Sequence, residues 1–557
     1  VSSPEILARH IAIAYGASAL ASAIGTAHDQ AMIADILHSA GRYTNDHLVP
    51  LNHVGDRVGS VLDNGRVRTP VGHQEAWAAF RDGGWLLLDA RPEDGGMGLP
   101  SSLASAVQEI MDSACPAFGM MPVPIWAALK LITAFGDEAI QQEWIDPLTQ
   151  GTWSTTICIS EPDAGSDIRR IRTRATQQDD GSWLVTGEKC WISFGDQDIT
   201  DRIGHCLLAK TDVDGNPDAI SLFLVPDRFG DRRNNVIVRR VEEKLGLHLS
   251  PTCALGFEEA TGFLLGEPGR GLPQLFVMIA QMRLATAVQG AGIAAKAYAV
   301  ARQYAAERRQ GGTGAVAVPI EDHADIQRLL LQMAGRLETL RGLIHATANA
   351  LDLAEKSPDQ ATRDHHAALA SWLLPIVKTL GGEVAFRGAS DAIQILGGAG
   401  YTKEWPVEQC LRDARVLTLF EGTTGMQAQD LLFRRLLGSD GAAFQAFLAT
   451  AREDARGCAQ LASALDQLEE TAAALDAAGM TRRDQEAGAT AFLTLASDIA
   501  CGWIGVRLKR EETVDPVGRH LAAAGQSALQ EMTTGLSFRS NSALFGASSI
   551  SRFGELL

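Results

Sequence analysis

A chain of 557 residues is too long for one hydrophobic core, so several domains are expected. Charged residues at 21% and hydrophobic ones at 46% give an ordinary globular balance, which excludes a wholly disordered or fibrous chain. The net charge of −18 disfavours nucleic acid as a partner, because phosphate binding needs a basic surface.

Residues 1–45 carry apolar residues at helical spacing, Ile6, Ile11, Ile13, Leu20 and Ile24, then Met32, Ile33 and Ile36, which predicts two helices. The start, Val1–Glu5, has no basic-then-apolar secretory pattern. Residues 46–154 continue helical and break at the glycine-rich stretch Pro92–Gly98. Between 155 and 267 the period shortens. Thr155–Ser160, Trp183–Thr186, His205–Lys210, Ile220–Pro226 and Asn235–Arg240 read as strands separated by Asp-Gly, Asn-Pro and Gly-Asp turns. From 268 to 436 long helices return over Leu275–Arg309, His323–Glu355 and Asp364–Ile393, with a loop at Gln310–Pro319. Residues 437–557 are Ala-rich and helical, and acidic residues outnumber basic ones there. The fold class is therefore mostly α with a central small β domain. A β domain between helical halves offers a cleft in which a planar cofactor can lie. No run reaches the roughly 18 apolar residues of a spanning helix. No two of the eight cysteines are spaced as CxxC, which points away from a zinc site or disulfide framework and toward a reducing compartment. The reading is a cytosolic protein with no membrane span.

Three segments carry chemistry. In Leu419-Phe420-Glu421-Gly422-Thr423-Thr424-Gly425 a carboxylate stands between apolar residues and a sequence shaped like a helix N-cap. Poor solvation would raise its pKa and make Glu421 a base, and the glycine lets a flat ligand approach the backbone. The same glutamate also reads as one placed near a helix N-terminus for the dipole. Upstream, Ile159–Asp167 sets Ser160 and Ser166 around a tight turn whose N–H groups suit an anionic or carbonyl-rich ligand, although an ordinary surface turn has the same composition. In Gly187–Ser193, Trp191 stands two residues before Ser193. That pair can stack on a ring system and bond its edge, or the tryptophan can be plain core.

Taken together, these segments resemble the acyl-CoA dehydrogenase family, flavoenzymes that desaturate acyl thioesters. The matching pieces run in the family's order from Gly84 to Leu437. They are Gly84-Trp85 with Pro92–Gly98; Ile159–Asp167; Gly187–Ser193; Lys244-Leu245-Gly246 with Ser250-Pro251-Thr252; and Gly266–Gly269. Then come Glu307–Gln310, Gln394–Tyr401, Arg412–Arg415 and Phe420–Thr424. The resemblance implies an α-helical N-domain, a β-barrel middle domain and an α-helical bundle C-domain, with an extra C-terminal helical domain. The boundaries fall at 1–45, 46–154, 155–267, 268–436 and 437–557. It also implies FAD. Ile159, Ser160, Ser166, Trp191 and Ser193 would line the flavin, Ser166 facing substrate as well. Gln394, Gly397 and Gly398 would approach the pyrophosphate or adenosine part. Arg308 and Gln310 would reach the FAD of a neighbouring subunit, which implies a homodimer or a higher homo-oligomer. Thr423 and Thr424 would contact the flavin, and Arg283 and Gly422 fall at substrate positions.

Glu421 falls on the family's catalytic base. Some members carry the base on the helix that holds Arg283, but no Asp or Glu occurs between Glu267 and Glu307 here, which leaves Glu421 as the matching candidate. The implied reaction removes the α-proton of an acyl-CoA while the β-hydride passes to the flavin, giving the trans-2-enoyl-CoA. Electrons then pass to an electron-transfer flavoprotein. The extra terminal segments and Glu421–Ala428 are similar to a larger bacterial subgroup that includes the methylthiopropanoyl-CoA dehydrogenases.

The chain departs from the family at Arg170, where a small residue is usual, at Gln409, and at Ala324 after His323. The basic run Ile168–Arg174 is either a solvated strand edge or a contact for the phosphates of coenzyme A. Two alternatives stand beside the main reading. One is a same-fold flavoenzyme acting on a carrier-protein thioester. The other is a non-catalytic nucleic-acid-associated flavoprotein, which needs a basic C-terminal region that this chain lacks.

Overall fold

The computed structural model describes residues 1–24, 30–438, 441–512 and 515–555. Helices α1 (Pro4–Ile24) and α2 (Gln30–Tyr43) come first, and a π-helical turn leads into α3 (Val49–Val58). A hairpin of β1 (Val61–Asp63) and β2 (Arg66–Arg68) follows. Next are α4 (His73–Asp82), α5 (Ser101–Asp112), α6 (Pro116–Gly119), α7 (Pro122–Phe135) and α8 (Glu138–Thr149). The β region holds β3 (Trp153–Cys158), β4 (Arg174–Gln177), β5 (Trp183–Ser193), β6 (Arg202–Val213) and β7 (Asn216–Pro226). It continues through β8 (Arg228–Phe229), β9 (Arg232–Arg233), β10 (Val236–Val241) and β11 (Thr252–Leu265). The long helices are α9 (Gly271–Glu307), α10 (Ala324–Lys356) and α11 (Gln360–Leu396), followed by short α12 (Val407–Ala414) and α13 (Thr424–Gln429). The C-terminal helices are α14 (Ala442–Asp454), α15 (Ala459–Leu475), α16 (Arg482–Lys509), α17 (Pro516–Ala543) and α18 (Ser548–Gly554).

The chain divides into two compact units, one of Val1–Ser39, Pro100–Ser113 and Thr286–Leu557, the other of Ala40–Leu99 and Ala114–Ala285. In the second unit, β11 pairs with β5, β5 with β4, β4 with β6, β6 with β7, and β7 with β11, so five strands close a barrel. Strand β10 adds to β11 and β3 adds in parallel to β6. The core of this region includes Cys158, Trp183, Val185, Phe223, Leu255 and Phe257.

The β1–β2 hairpin and strands β4, β8, β9 and β11 escape the sequence reading. The β1–β2 hairpin lies inside the stretch read as helical. Its turn, Asn64-Gly65, has φ of 49° and 77°, the left-handed pair that a two-residue hairpin needs. The 14-residue β11 lies in a stretch with no strand reading. Its period is broken by Glu258 and Glu259; Glu259 has φ 54°, and the register slips between Phe257 and Ala260, which marks a β-bulge.

The first unit is built on α10 and α11, which pack on each other; α17 packs on both α10 and α16. Its core includes Ile293, Ala297, Met333, Ala385, Leu396, Val407 and Leu417. A buried charge network ties the first helix to the later ones. Glu338 on α10 accepts from Arg341 at 2.9 Å, pairs with His10 of α1 at 2.8 Å, and pairs with His520 of α17 at 3.0 Å. Burial alone would push its carboxyl up, but Arg341 and the two histidines hold it well below the usual range.

Among the described residues, four helical stretches are apolar over much of their length. Pro116–Phe135, Gly271–Glu307, Gln360–Tyr401 and Arg482–Lys509 are long and apolar enough to cross a bilayer by length and composition. Alanine, leucine and isoleucine dispersed over many turns reach that hydropathy without a solid apolar run. Between 56% and 78% of the most apolar window of each is buried within the protein. A helix apolar on most sides belongs either in a large core or in lipid, and here most of that surface is covered by protein.

Candidate active site

In the first unit, α12 ends in a tight turn at Arg415–Thr418, and the chain then runs through Leu419–Thr423 before α13 begins. Thr423 caps α13 by accepting from the Met426 N–H at 3.4 Å. Glu421 therefore does stand just before a helix N-terminus. Its backbone asks for more than that reading needs: φ is 54° at Glu421 and 88° at Gly422. A left-handed non-glycine residue costs of order 1–3 kcal/mol and persists only where its surroundings hold it. At Gly422 a Cβ would also fall 2.9 Å from Gln427 Nε2.

The surroundings do hold it. Gln427 Nε2 donates to the Glu421 carbonyl at 2.9 Å and to the Gly422 carbonyl at 3.2 Å. Lys378 Nζ, from α11, donates to the Gly422 carbonyl at 2.7 Å. Both side chains belong to fully buried residues. Phe420, Glu421 and Gly422 are half-buried, and Leu419 is exposed. Lys378 is absent from the sequence reading, and Gln427 stands in it only within Glu421–Ala428, with no role of its own. A lysine inside the apolar run Leu373–Leu380 is the one available signal, since lysine is almost never fully buried without a partner.

The other sequence-selected residues of this unit lie elsewhere on it. Gln394, Gly397 and Gly398 form the exposed end of α11, where Gly397 has φ 61° and caps the helix. A Cβ on Gly397 or Gly398 would meet nothing within 4 Å, so the backbone is open to a ligand. Arg308 and Gln310 follow α9 on an exposed segment fixed by its backbone, with Gln310 N–H donating to Val318 O at 2.9 Å and Ile320 N–H to Arg308 O at 2.8 Å. Their side chains, like that of Gln394, make no hydrogen bond or ion pair among the described residues.

In the second unit the turn after β3 is anchored from beneath. Lys189 Nζ donates to Glu161 Oε1 at 2.7 Å and to the Ile159 carbonyl at 3.1 Å, and its side chain is 0% exposed. The Glu161 carboxylate also accepts from the N–H groups of Arg172 and Thr173. Burial pushes that carboxyl up, but the Lys189 ammonium and these N–H donors outweigh it and hold the pKa below the usual value. Cys190 N–H donates to the Ser160 carbonyl at 3.0 Å, fastening β5 to the same turn. Above this base the hydroxyls of Ser160, Ser166 and Ser193 make no hydrogen bond among the described residues. Trp191 is 62% exposed at φ 64°, between buried Cys190 and Ile192, so it is not a core tryptophan. Ile159 is half-buried in the same turn, and Arg283 is half-buried on the N-terminal half of α9. An exposed indole on strained backbone, three uncommitted hydroxyls and an anchored turn fit a planar, carbonyl-rich ring of the kind FAD carries.

The basic run is largely neutralised. Arg169 and Arg170 pair with Asp167 at 3.2 and 3.0 Å, Arg172 with Asp163 at 2.9 Å and Arg174 with Asp218 at 3.3 Å.

Comparison with known proteins gives three family matches along the chain. Residues 52–152 match the acyl-CoA dehydrogenase N-terminal domain, 156–260 the middle domain and 269–436 the C-terminal domain. A 3-methylmercaptopropionyl-CoA dehydrogenase of Ruegeria pomeroyi is 38% identical over 490 residues, spanning 84% of this chain and 83% of the relative. A broad-specificity linear acyl-CoA dehydrogenase of Mycobacterium tuberculosis is 32% identical over 514 residues, spanning 85% and 83%. Among solved structures, Caenorhabditis elegans ACDH-11 in complex with C11-CoA superposes with TM-score 0.81 at 20% identity, over 94% of this chain and 90% of that one. At that identity the likeness concerns the fold, and it extends into the C-terminal helices.

Proposed function

The chain belongs to the acyl-CoA dehydrogenase family, and from that premise we propose that it is an FAD-dependent acyl-CoA dehydrogenase with Glu421 as its base. The observation that carries the reading is the Glu421–Gly422 step, a carboxylate on left-handed backbone held by two buried donors. Bound FAD supplies the acceptor for the β-hydride. Glu421 takes the α-proton, and the electron pair left on the α-carbon becomes the new double bond as the hydride leaves. The Glu421 N–H donates to the thioester oxygen, where negative charge grows in the transition state. Arg283, Gly422 and Ser166 orient the thioester. Ile159, Ser160, Ser166, Trp191 and Ser193 would hold the flavin ring, and Thr423 and Thr424 would contact it. Gln394, Gly397 and Gly398 take the pyrophosphate or adenosine part, and Arg308 and Gln310 reach a cofactor in a second copy of the chain.

The product is the trans-2-enoyl-CoA, the electron acceptor is an electron-transfer flavoprotein, and the assembly is a homodimer or larger. The domains run 1–45, 46–154, 155–267, 268–436 and 437–557. The test is anaerobic titration of the yellow holoenzyme with a panel of acyl-CoAs, followed by loss of flavin absorbance at about 450 nm. A true substrate bleaches the wild type. Glu421→Gln should keep its flavin and be reduced about 10²–10⁴-fold more slowly. Reduction of that variant at the wild-type rate removes Glu421 from the mechanism.

A further inference from the structure

We propose that Lys378 and Gln427 are positioning residues that hold the Glu421–Gly422 backbone from two helices and so fix where the base carboxylate points. The inference rests on Glu421 being the base. Gln427 donates to the carbonyls of Glu421 and Gly422 and Lys378 to that of Gly422, so together they fix both peptide planes that follow the base. Gln427 lies on α13, immediately beyond the loop, and Lys378 lies on α11, remote in sequence.

A second observation on α11 points the same way. Gly382 is one turn beyond Lys378 and shares its face. A Cβ there would fall 2.7 Å from Thr418 Cγ2 and 3.1 Å from the Leu417 carbonyl carbon. The absence of a side chain therefore lets the segment before the base lie against the helix, while Lys378 pins the segment after it. Leu417 and Thr418 are buried at one end and Gln427 is buried at the other. Between those fixed ends Glu421 and Gly422 are half-buried, and Leu419 and Thr423 on either side of the step are exposed.

A buried ammonium is a costly donor to place on a loop carbonyl, which water or a neutral amide satisfies on an exposed loop. It is understandable where the loop must keep a left-handed conformation that it would otherwise leave. Proton abstraction is sensitive to such placement, since a displacement of about 1 Å can lower a rate about 10²-fold.

The experiment uses holoenzyme variants Lys378→Met, Lys378→Arg, Gln427→Leu and Glu421→Gln. The probe is an acyl-CoA analogue with sulfur in place of the β-carbon, which keeps its α-protons but has no β-hydride to give. Exchange of those protons for solvent deuterium, followed by NMR, reads the base without any flavin reduction. Lys378→Met and Gln427→Leu should each slow exchange and kcat in parallel, about 10²-fold for the lysine, with KM within about threefold and flavin content unchanged. Lys378→Arg should recover part of the loss. Wild-type exchange in variants that merely melt earlier overturns the positioning role. Exchange that survives in Glu421→Gln overturns the base assignment instead, so the two failures are distinguishable. Should Lys378→Met not fold, Gln427→Leu tests the same geometry from the other helix.

Discussion

Lys189 in the barrel unit and Lys378 in the helical unit are both buried, and both fasten a segment that carries proposed chemistry. They do it with different acceptors. Lys189 grips its turn through the Ile159 carbonyl and, in addition, through a carboxylate within the turn, Glu161, which itself takes two backbone N–H groups. Lys378 grips its loop through the carbonyl of Gly422. A charge pair embedded in a web of donors makes a rigid base, fit for a turn that must present hydroxyls without moving. A cation on a carbonyl restrains one strained step and leaves Glu421 half-buried and Thr423 exposed, as the proposed reach to a substrate needs. The difference separates a residue whose loss unfolds its surroundings from one whose loss misplaces a group.

The largest expected effect tests that separation directly. Lys189→Met leaves the buried Glu161 carboxylate without its cation, and breaking a buried pair this way costs about 3–5 kcal/mol. Chemical denaturation should show that loss, and adding Glu161→Leu should restore most of it by removing the stranded charge. Lys378→Met should cost less, about 1.5–3 kcal/mol, the range for a hydrogen bond made by a charged group. Equal losses from the two lysines would break the comparison.

A smaller effect sharpens it through pH. The folded pKa of Glu161 lies below its ordinary value, so its contribution to stability is fully present above the unfolded pKa of about 4.3 and is lost as pH falls through the lower folded value. Hydrogen exchange at the Arg172 and Thr173 amides should therefore accelerate in mild acid beyond the intrinsic trend. Amides of the Glu421–Gln427 segment, where Gly422 is held through its carbonyl, should accelerate less. Parallel acceleration in both segments would show that the two anchors share one titrating group.

The same comparison explains what was legible in the sequence. Glu421, Trp191 and the serines announce themselves because their residue types suit the proposed chemistry, and their local patterns are short. The lysines beneath them do not. Lys189 was visible only as part of a motif, and Lys378 reads as a polar interruption in an apolar helix, because its partner is 44 residues away. The long helices α9 to α11 were legible from their period, and the strands with plain alternation were found. Strand β11 was hidden because a bulge at Glu259 and two glycines destroy the period-2 signal on which strand reading depends. The β1–β2 hairpin was hidden by its shortness, three residues a side.

The smallest expected effect concerns a feature the sequence made prominent. The run from Arg169 to Arg174 reads as a phosphate contact when only its own charges are counted. In the fold each arginine faces an aspartate, and the side chains of Arg169 and Arg170 are 85% and 74% exposed. A phosphate arriving there must displace existing partners and compete with water, and exposed pairs of this kind change binding little. The double substitution Arg169→Ala, Arg170→Ala should therefore move KM for acyl-CoA by less than about fivefold. The matching measurement is KM for the acyl ester of 3′-dephospho-CoA. A rise of about 100-fold confined to the phosphorylated form would mean that the arginines release Asp167 to grip that phosphate, and the solvated-edge reading would fall.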